Sequence, residues 1–167
     1  RRLRTPLSLV LFDLDHFKSV NDRHGHDAGD QLLREVVAGL KRRLRQQDTI
    51  IRWGGEELLV ALPGASASDA AEVVSALCRN GLALRPDSTP QTASAGLAER
   101  ESDQAASWQD LVEMADVRMY VAKELGRDHL CGPAELSLRL SPGQRAAIEA
   151  LPDGPTLSPK IPNPWLA

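Results

Sequence analysis

The apolar positions along the chain follow two periods, which predict strands and helices in alternation. A continuous apolar run that ends in acids, residues 8–14, is typical of a buried strand with its polar groups at the C-terminal end. Two β-prone runs flank Gly54-Gly55-Glu56 and predict a hairpin, because glycine tolerates the positive φ of tight turns. The predicted strands cover residues 8–14, 49–53, 57–62, 91–98 and 128–131.

Helical spacing of apolar residues first occurs over residues 30–44. Ser66 with Asp69, and Ser107 with Asp110, predict the starts of two further helices, and Gly126 should end the last one in a left-handed conformation. The polar segment 16–30 lies between a strand and a helix and predicts a ligand-binding loop. Because the hairpin requires an antiparallel pair, the predicted fold class is α/β (α+β), with a mixed central β-sheet flanked by helices.

Composition narrows the function classes. A length of 167 residues favours one domain, and a net charge of −3 argues against a nucleic acid polymer as partner. The two cysteines are far apart, so they indicate neither a disulfide framework nor a thiolate zinc site, and they favour a reducing, cytoplasmic compartment. His24 and His26 have no obvious third ligand and are more typical of structural hydrogen bonding than of zinc binding.

The two ends of the chain suggest a longer protein. The sequence begins without Met, and its first strand arrives within a few residues, so we expect upstream sequence. Seven of the 11 prolines lie from Pro133 onward, which predicts a Pro-rich tail or linker over residues 132–167 with a short helix over residues 144–151. No apolar run approaches the roughly 20 residues that span a bilayer.

Two acidic pairs lie at the ends of predicted strands. Asp13 and Asp15 end the first strand, and Glu56 and Glu57 lie at the hairpin turn. If neighbouring strands bring them together, the carboxylates need a compensating cation, and hard oxygen ligands suit Mg²⁺ or Mn²⁺. From spacing alone the alternative stays open that Glu56 and Glu57 are ordinary turn acids and that Asp15 caps a helix.

Four basic residues lie near predicted element ends, where they could meet the oxygens of a triphosphate. They are Lys18, Arg52, Lys123 and Arg127. Taken singly, each is more typical of a solvated surface position. The four residues can bind one triphosphate together only if the fold brings them close to one another.

Four ordered blocks together resemble the GGDEF family of diguanylate cyclases. They are FDLDHFKSVNDRHGHDAGD (12–30), RWGGEEL (52–58), TASAGLA (92–98) and YVAKELGRDHL (120–130). The resemblance covers about residues 5–131 and implies a palm-like nucleotidyl cyclase fold, with residues 1–131 as the catalytic domain lacking its N-terminal segment. Leu58 replaces the usual Phe of the signature, and Asp128 stands where Asn is common.

The resemblance implies the condensation of two GTP molecules into cyclic di-GMP with release of pyrophosphate. Asp13 and Glu56, with the carbonyl of Leu14, would bind two Mg²⁺ or Mn²⁺ ions. Glu57, Glu56 and Lys18 would be the catalytic residues. The implied substrate-binding residues are Asn21 and Asp30 on guanine, His16, Phe17, Lys123 and Arg127 with Lys18 on the triphosphate, and Gly54 and Gly55 at the turn.

The resemblance also implies regulation and assembly. Arg45 and Asp48 match the family's RxxD motif, which implies inhibition by cyclic di-GMP, whereas Ala76 stands where a second Arg is expected. Since each site holds one GTP, catalysis would require a homodimer, commonly supplied by an upstream sensory or dimerisation module that can be membrane-anchored. The alternative is a catalytically degenerate domain that binds GTP or cyclic di-GMP without turnover.

Overall fold

The computed structural model describes residues 5–79 and 81–133. At its centre is a five-stranded sheet in the order β2-β3-β1-β4-β5. The strands are β1 (Leu7–Leu14), β2 (Thr49–Arg52), β3 (Glu57–Pro63), β4 (Ala93–Glu99) and β5 (His129–Cys131). The central strand β1 is antiparallel to β3 and to β4, and β5 runs parallel to β4. The predicted mixed sheet flanked by helices is confirmed.

Helices cover both faces of this sheet. They are α1 (Phe17–His24), α2 (His26–Lys41), α3 (Ala67–Arg79) and α4 (Trp108–Glu124). The predicted Pro-rich tail and its short helix lie outside the described residues, apart from Gly132 and Pro133. The division of the chain at residue 131 therefore stays a prediction.

The prediction of a loop over residues 16–30 is wrong, because this segment forms α1 and the first turn of α2. Gly25 separates the two helices with a φ of 86°, and its N–H donates to the carbonyl of Asn21 at 2.8 Å. Only Phe17 and Val20 of α1 are buried. Two apolar residues are too few to show a helical period in the sequence, so this short helix is recognised only from its packing in the structure.

Alternation along β1 divides the core into two layers. Val10, Phe12 and Leu14 belong to the cluster that contains the buried residues of α2 and α3, whereas Leu9 and Leu11 belong to the cluster with α4. All five side chains are at most 1% exposed. A strand covered by helices on both faces is apolar throughout, which explains the continuous run seen in the sequence.

The last helix begins and ends as predicted. Ser107 Oγ accepts a hydrogen bond from the Asp110 N–H, and the Asp110 carboxylate accepts one from the Ser107 N–H, which is a complete capping box. Gly126 follows the helix with a φ of 112°. Gly96 of β4 lets the helix backbone approach the sheet, since a Cβ there would lie 1.8 Å from the carbonyl oxygen of Ala115.

Candidate functional site

Two carboxylates face each other where β1 and β3 meet at one edge of the sheet. Asp13 and Glu57 are direct cross-strand partners, and both lie on the face covered by α4, because Leu11 and Leu59 two residues away pack there. Like charges placed opposite each other destabilise a sheet. Lys123 of α4 supplies the counter-charge, with its Nζ 2.7 Å from Asp13 Oδ2.

Glu56 lies beside this pair. Its carbonyl accepts a hydrogen bond from the Leu14 N–H at 3.2 Å, so the predicted metal ligands Asp13, Leu14 and Glu56 all lie at the same end of the sheet. Their donor atoms are carboxylate and carbonyl oxygens, which suit Mg²⁺ or Mn²⁺, and the Lys123 ammonium already holds positive charge against Asp13. Within residues 5–79 and 81–133 no group of three or more His, Cys, Asp or Glu side chains could hold a metal ion. The predicted metal ligands are two carboxylates and one carbonyl. Their chemistry fits a divalent ion, and metal binding by them stays a prediction.

The turn between β2 and β3 is built on hydrogen bonds rather than on left-handed glycines. The N–H groups of Trp53 and Gly54 donate to the Glu57 carbonyl at 2.8 and 3.3 Å, and the Arg52 guanidinium donates to the carbonyls of Gly54 and Gly55. The expectation that the glycines supply positive φ is wrong. Gly54 is needed because a Cβ there would lie 2.3 Å from Glu57 Oε2, whereas Gly55 faces open space.

This turn also decides the role of Arg52. Its guanidinium, expected as a candidate for triphosphate oxygens, is instead bound to the two glycine carbonyls of its own hairpin. Leu58, which follows the turn, is fully buried. Leu58 therefore keeps the packing of β3 despite lacking an aromatic ring.

The predicted guanine readers lie where α1 meets α2. Asn21 packs over Gly29, so closely that a Cβ on Gly29 would be 1.8 Å from Asn21 Oδ1. Oδ1 is buried and has no hydrogen-bond partner among the described residues. Asp30, next to Gly29, is exposed. A buried unpaired acceptor is costly unless a ligand donor completes it, and guanine has such donors at N1 and N2.

The turn that leads into α1 has the features of a phosphate site. His16 is the N-cap in the left-handed region with a φ of 55°, and no side chain of residues 5–79 or 81–133 caps the helix. The first N–H groups of a helix lack intrahelical partners and favour anions. The contacts of His16, Phe17 and Lys18 with a triphosphate stay a prediction, with which this helix start and the exposed Lys18 are compatible.

Arg127 lies in a second turn, directly after α4. Gly126, Arg127 and Asp128 all have positive φ, of 112°, 66° and 45°. Two successive non-glycine residues in this region are strained and persist only when tertiary contacts hold them. Arg127 is exposed, and Lys123 one turn earlier pairs with Asp13 of the acidic edge.

The predicted inhibitory residues form a tight turn between α2 and β2. The Arg45 N–H donates to Asp48 Oδ2 at 2.8 Å, and the Asp48 N–H donates to the Arg45 carbonyl at 3.0 Å. The Arg45 residue is exposed. Asp48 thus has a local structural role, and the inhibitory function of both residues stays a prediction.

Asp116 is a residue of the acidic edge that the sequence analysis missed. It lies on α4 with 9% of its surface exposed. Burial, and then the nearby Glu57, raise the pKa of its carboxyl to about 6, with Lys123 opposing and Asp13 adding to the rise. Its spacing of seven residues from Lys123 places both on one helix face, which is the signal that could have identified it.

Asp15 was expected to join the acidic pairs or to cap a helix, and it does neither. It is 1% exposed, and its carboxylate binds Thr92, Ser94 and the backbone of Asp128. His16, not Asp15, is the N-cap of α1. The alternative reading of Glu57 as an ordinary turn acid also does not fit its place opposite Asp13.

Comparison with known proteins gives a consistent family assignment. The family model described as the diguanylate cyclase GGDEF domain matches residues 1–129. The diguanylate cyclase DgcP of Pseudomonas aeruginosa is 40% identical over 129 residues, which are 74% of this chain and 19% of DgcP. The chain spans 19% to 36% of the length of the first curated relatives it matches.

Solved structures share the fold. The GGDEF domain of DgcB from Caulobacter crescentus, crystallised in complex with c-di-GMP, is 30% identical with a TM-score of 0.69 over 78% of this chain and 79% of that one. The active GGEEF domain of a diguanylate cyclase from Vibrio cholerae is 26% identical with a TM-score of 0.69, over 78% and 85%. The latter carries the same two glutamates in its signature as Glu56 and Glu57 here.

Proposed function

Since this chain belongs to the GGDEF family of diguanylate cyclases, we propose that it condenses two GTP molecules into cyclic di-GMP and releases two pyrophosphates. The observation that carries the proposal is the acidic edge, where Asp13 faces Glu57 and pairs with Lys123. The buried Oδ1 of Asn21, which has no hydrogen-bond partner within the described part of the chain, supports a ligand that donates hydrogen bonds, as guanine does.

In the proposed reaction the 3′-hydroxyl of each GTP attacks the α-phosphate of the other, and pyrophosphate leaves. Asp13, Glu56 and the Leu14 carbonyl would hold two divalent ions, which supply charge neutralisation on the phosphates and lower the pKa of the attacking hydroxyl. GGDEF cyclases generally depend on such ions. Glu57 lies at the same edge as Asp13, where its carboxylate can accept the proton of that hydroxyl.

The remaining residues bind and orient the substrate. Lys18, Lys123 and Arg127 neutralise the triphosphate, with the backbone N–H groups near His16 and Phe17 completing the grip. Asn21 and Asp30 select guanine, because adenine lacks the N1 and N2 donors that these acceptors require. Gly55, whose missing Cβ faces open space, leaves the turn open to the nucleotide, whereas Gly54 leaves room for the Glu57 carboxylate.

Two sites must face each other for this reaction, so we propose that the active form is a homodimer whose encounter is arranged by sequence upstream. Among the helices of the described residues, none has both the length and the hydropathy that a membrane-spanning helix requires. We place the domain in the cytoplasm, where GTP is available, with any membrane anchor supplied by other parts of a longer protein.

The test is turnover by the chain fused to a dimeric coiled coil, with GTP and Mg²⁺, followed as pyrophosphate release. We expect turnover by the wild type and a loss of about 100-fold or more in Glu57→Gln. Glu113→Gln, which makes the same charge change at an exposed position of α4, is the control and should keep full activity. GTP binding without pyrophosphate release would favour the degenerate receptor, and full turnover by Glu57→Gln would remove Glu57 from the mechanism.

Product inhibition has its own test. Because Arg45 closes its turn through its main-chain N–H, Arg45→Ala removes the exposed guanidinium and leaves the hydrogen bond to Asp48 in place. We expect a higher cyclic di-GMP concentration for half-inhibition and an unchanged initial rate. Arg42→Ala, also exposed, is the matched loss of charge and should not alter inhibition. Inhibition that persists unchanged in Arg45→Ala would contradict the assignment.

A further inference from the structure

We infer that Asp15 is a positioning residue that fixes the two triphosphate-binding turns in one geometry. The first turn is His16 to Lys18, and the second is Gly126 to Asp128. The inference rests on the proposed function, which assigns the triphosphate to these turns. It goes beyond that function, because the proposed reaction gives Asp15 no role in binding the metal or the substrate.

The carboxylate of Asp15 joins three separate segments. Oδ1 accepts a hydrogen bond from Ser94 Oγ at 2.7 Å, and Oδ2 accepts one from Thr92 Oγ1 at 2.7 Å. Oδ2 also accepts one from the backbone N–H of Asp128 at 3.0 Å. The end of β1 is thereby tied to the start of β4 and to the turn after α4.

The main chain of Asp15 is fixed as firmly as its side chain. Its N–H donates to the Thr92 carbonyl at 3.0 Å, and its carbonyl accepts from Arg85 and from Gln91, each at 2.8 Å. Gln91 is fully buried, and Arg85 also donates to Gln91 Oε1 at 2.9 Å. Both main-chain polar groups of the residue that precedes the left-handed His16 are therefore held by hydrogen bonds.

The second turn needs this contact more than the first. Arg127 and Asp128 both have positive φ, a conformation that costs a non-glycine residue free energy unless other contacts hold it. Both are exposed, and the Asp15 carboxylate is the hydrogen-bond partner of the Asp128 N–H. Without Asp15 the turn can relax, and the Arg127 guanidinium then moves relative to the N–H groups at His16.

The experiment compares the affinities of GTP and GMP by calorimetry, because only GTP engages both turns. In Asp15→Ala we expect the preference for GTP over GMP to fall about 10-fold, with GMP affinity retained, since charge-assisted contacts to phosphate are lost. Asp15→Asn should restore the preference to within about 3-fold, because its Oδ1 can accept from Thr92 and Asp128 while its amide donates to the Ser94 hydroxyl.

Asp103→Ala is the matched control. Asp103 is another poorly exposed acid, and its carboxylate accepts two hydrogen bonds, of 2.6 and 2.7 Å, from Arg118 of α4. Its loss should lower the melting temperature and leave the preference for GTP over GMP unchanged. Gln91→Met conserves volume and removes the side-chain hydrogen bonds of Gln91 to the Asp15 carbonyl, the Thr92 carbonyl and Arg85. It serves if Asp15→Ala does not fold, with an expected fall of about 3-fold.

The outcomes separate three cases. A preference for GTP that is unchanged in both Asp15→Ala and Gln91→Met, or equal losses of GTP and GMP affinity, would overturn the inference. An equal fall in Asp103→Ala would reduce Asp15 to a general contribution to stability and would overturn it as well. A wild-type protein that binds neither nucleotide would overturn the proposed function and this inference together.

Discussion

Replacing Gly29 by Ala should separate stability from nucleotide binding. Gly29 lies inside α2, is buried, and does not have positive φ. A Cβ there would lie 1.8 Å from Asn21 Oδ1, 2.9 Å from Asn21 Cγ and 3.2 Å from Phe17 Cζ. The Phe17 contact can be relieved by a few tenths of an ångström, but the Asn21 side chain must leave its position.

Two effects of Gly29→Ala on the free energy of unfolding oppose each other, whereas its effect on GTP binding is a loss. Gly to Ala inside a helix normally stabilises by roughly 0.5 to 1 kcal/mol, which offsets much of the cost of moving Asn21. The free energy of unfolding should therefore stay within about 1 kcal/mol of the wild type. GTP binding loses the pairing of Asn21 with the base, about 1 to 2 kcal/mol, which corresponds to roughly a 10-fold rise in Kd.

The assay is calorimetric GTP binding by Gly29→Ala, Asn21→Ala and the double variant, with chemical denaturation of each. If Gly29→Ala acts through Asn21, the double variant binds no worse than Asn21→Ala alone. Gly39→Ala is the control, because its Cβ would meet the Leu82 carbonyl oxygen at 2.8 Å. That variant should lose stability and keep its affinity for GTP.

Additive losses in the double variant would refute this reasoning, because they would mean that the new methyl group acts on the nucleotide by another route. Wild-type affinity in Gly29→Ala would refute it more directly. In that case Asn21 would not read the base from the position it has here.

Three further predictions concern stability and reactivity. Gly96→Ala should lower the free energy of unfolding by about 3 kcal/mol in a denaturant titration. Its Cβ would lie 1.8 Å from the Ala115 carbonyl oxygen and 2.4 Å from the Met119 nitrogen, which are backbone atoms of α4. Wild-type stability in this variant would contradict this packing. The raised pKa of Asp116, about 6, means that the folded state binds its proton more tightly than the unfolded chain, so metal-free protein should lose stability as the pH rises from about 4 to 6. Asp116→Asn should remove most of that loss and be more stable by about 1 to 2 kcal/mol at pH 7.5 in EDTA, and an unchanged pH profile would count against the assignment. Burial raises the pKa of the Cys78 thiol to about 11, so iodoacetamide should label it at pH 8 at least about 10-fold more slowly than a cysteine peptide, whereas equal rates would show an accessible thiolate.

The structural features that could be predicted from the sequence alone are local. The first strand, the capping box of Ser107 with Asp110 and the left-handed Gly126 depend on periodicity and on hydrogen bonds within a few residues. Such signals survive in a single sequence, because the interacting groups are neighbours along the chain. The four ordered motifs predicted the family through their resemblance to it, and the match of the family model confirmed that prediction.

Which side chains meet in the site depends on contacts between residues far apart in the chain. The register of β1 with β3 places Asp13 opposite Glu57, and the close approach of α4 at Gly96 brings Lys123 to that pair. Asp15 illustrates the same limit, because its partners lie far along the chain and its acidic neighbours suggested a different role. Register and helix placement are set by side-chain packing across the whole core, which no local pattern of residues records.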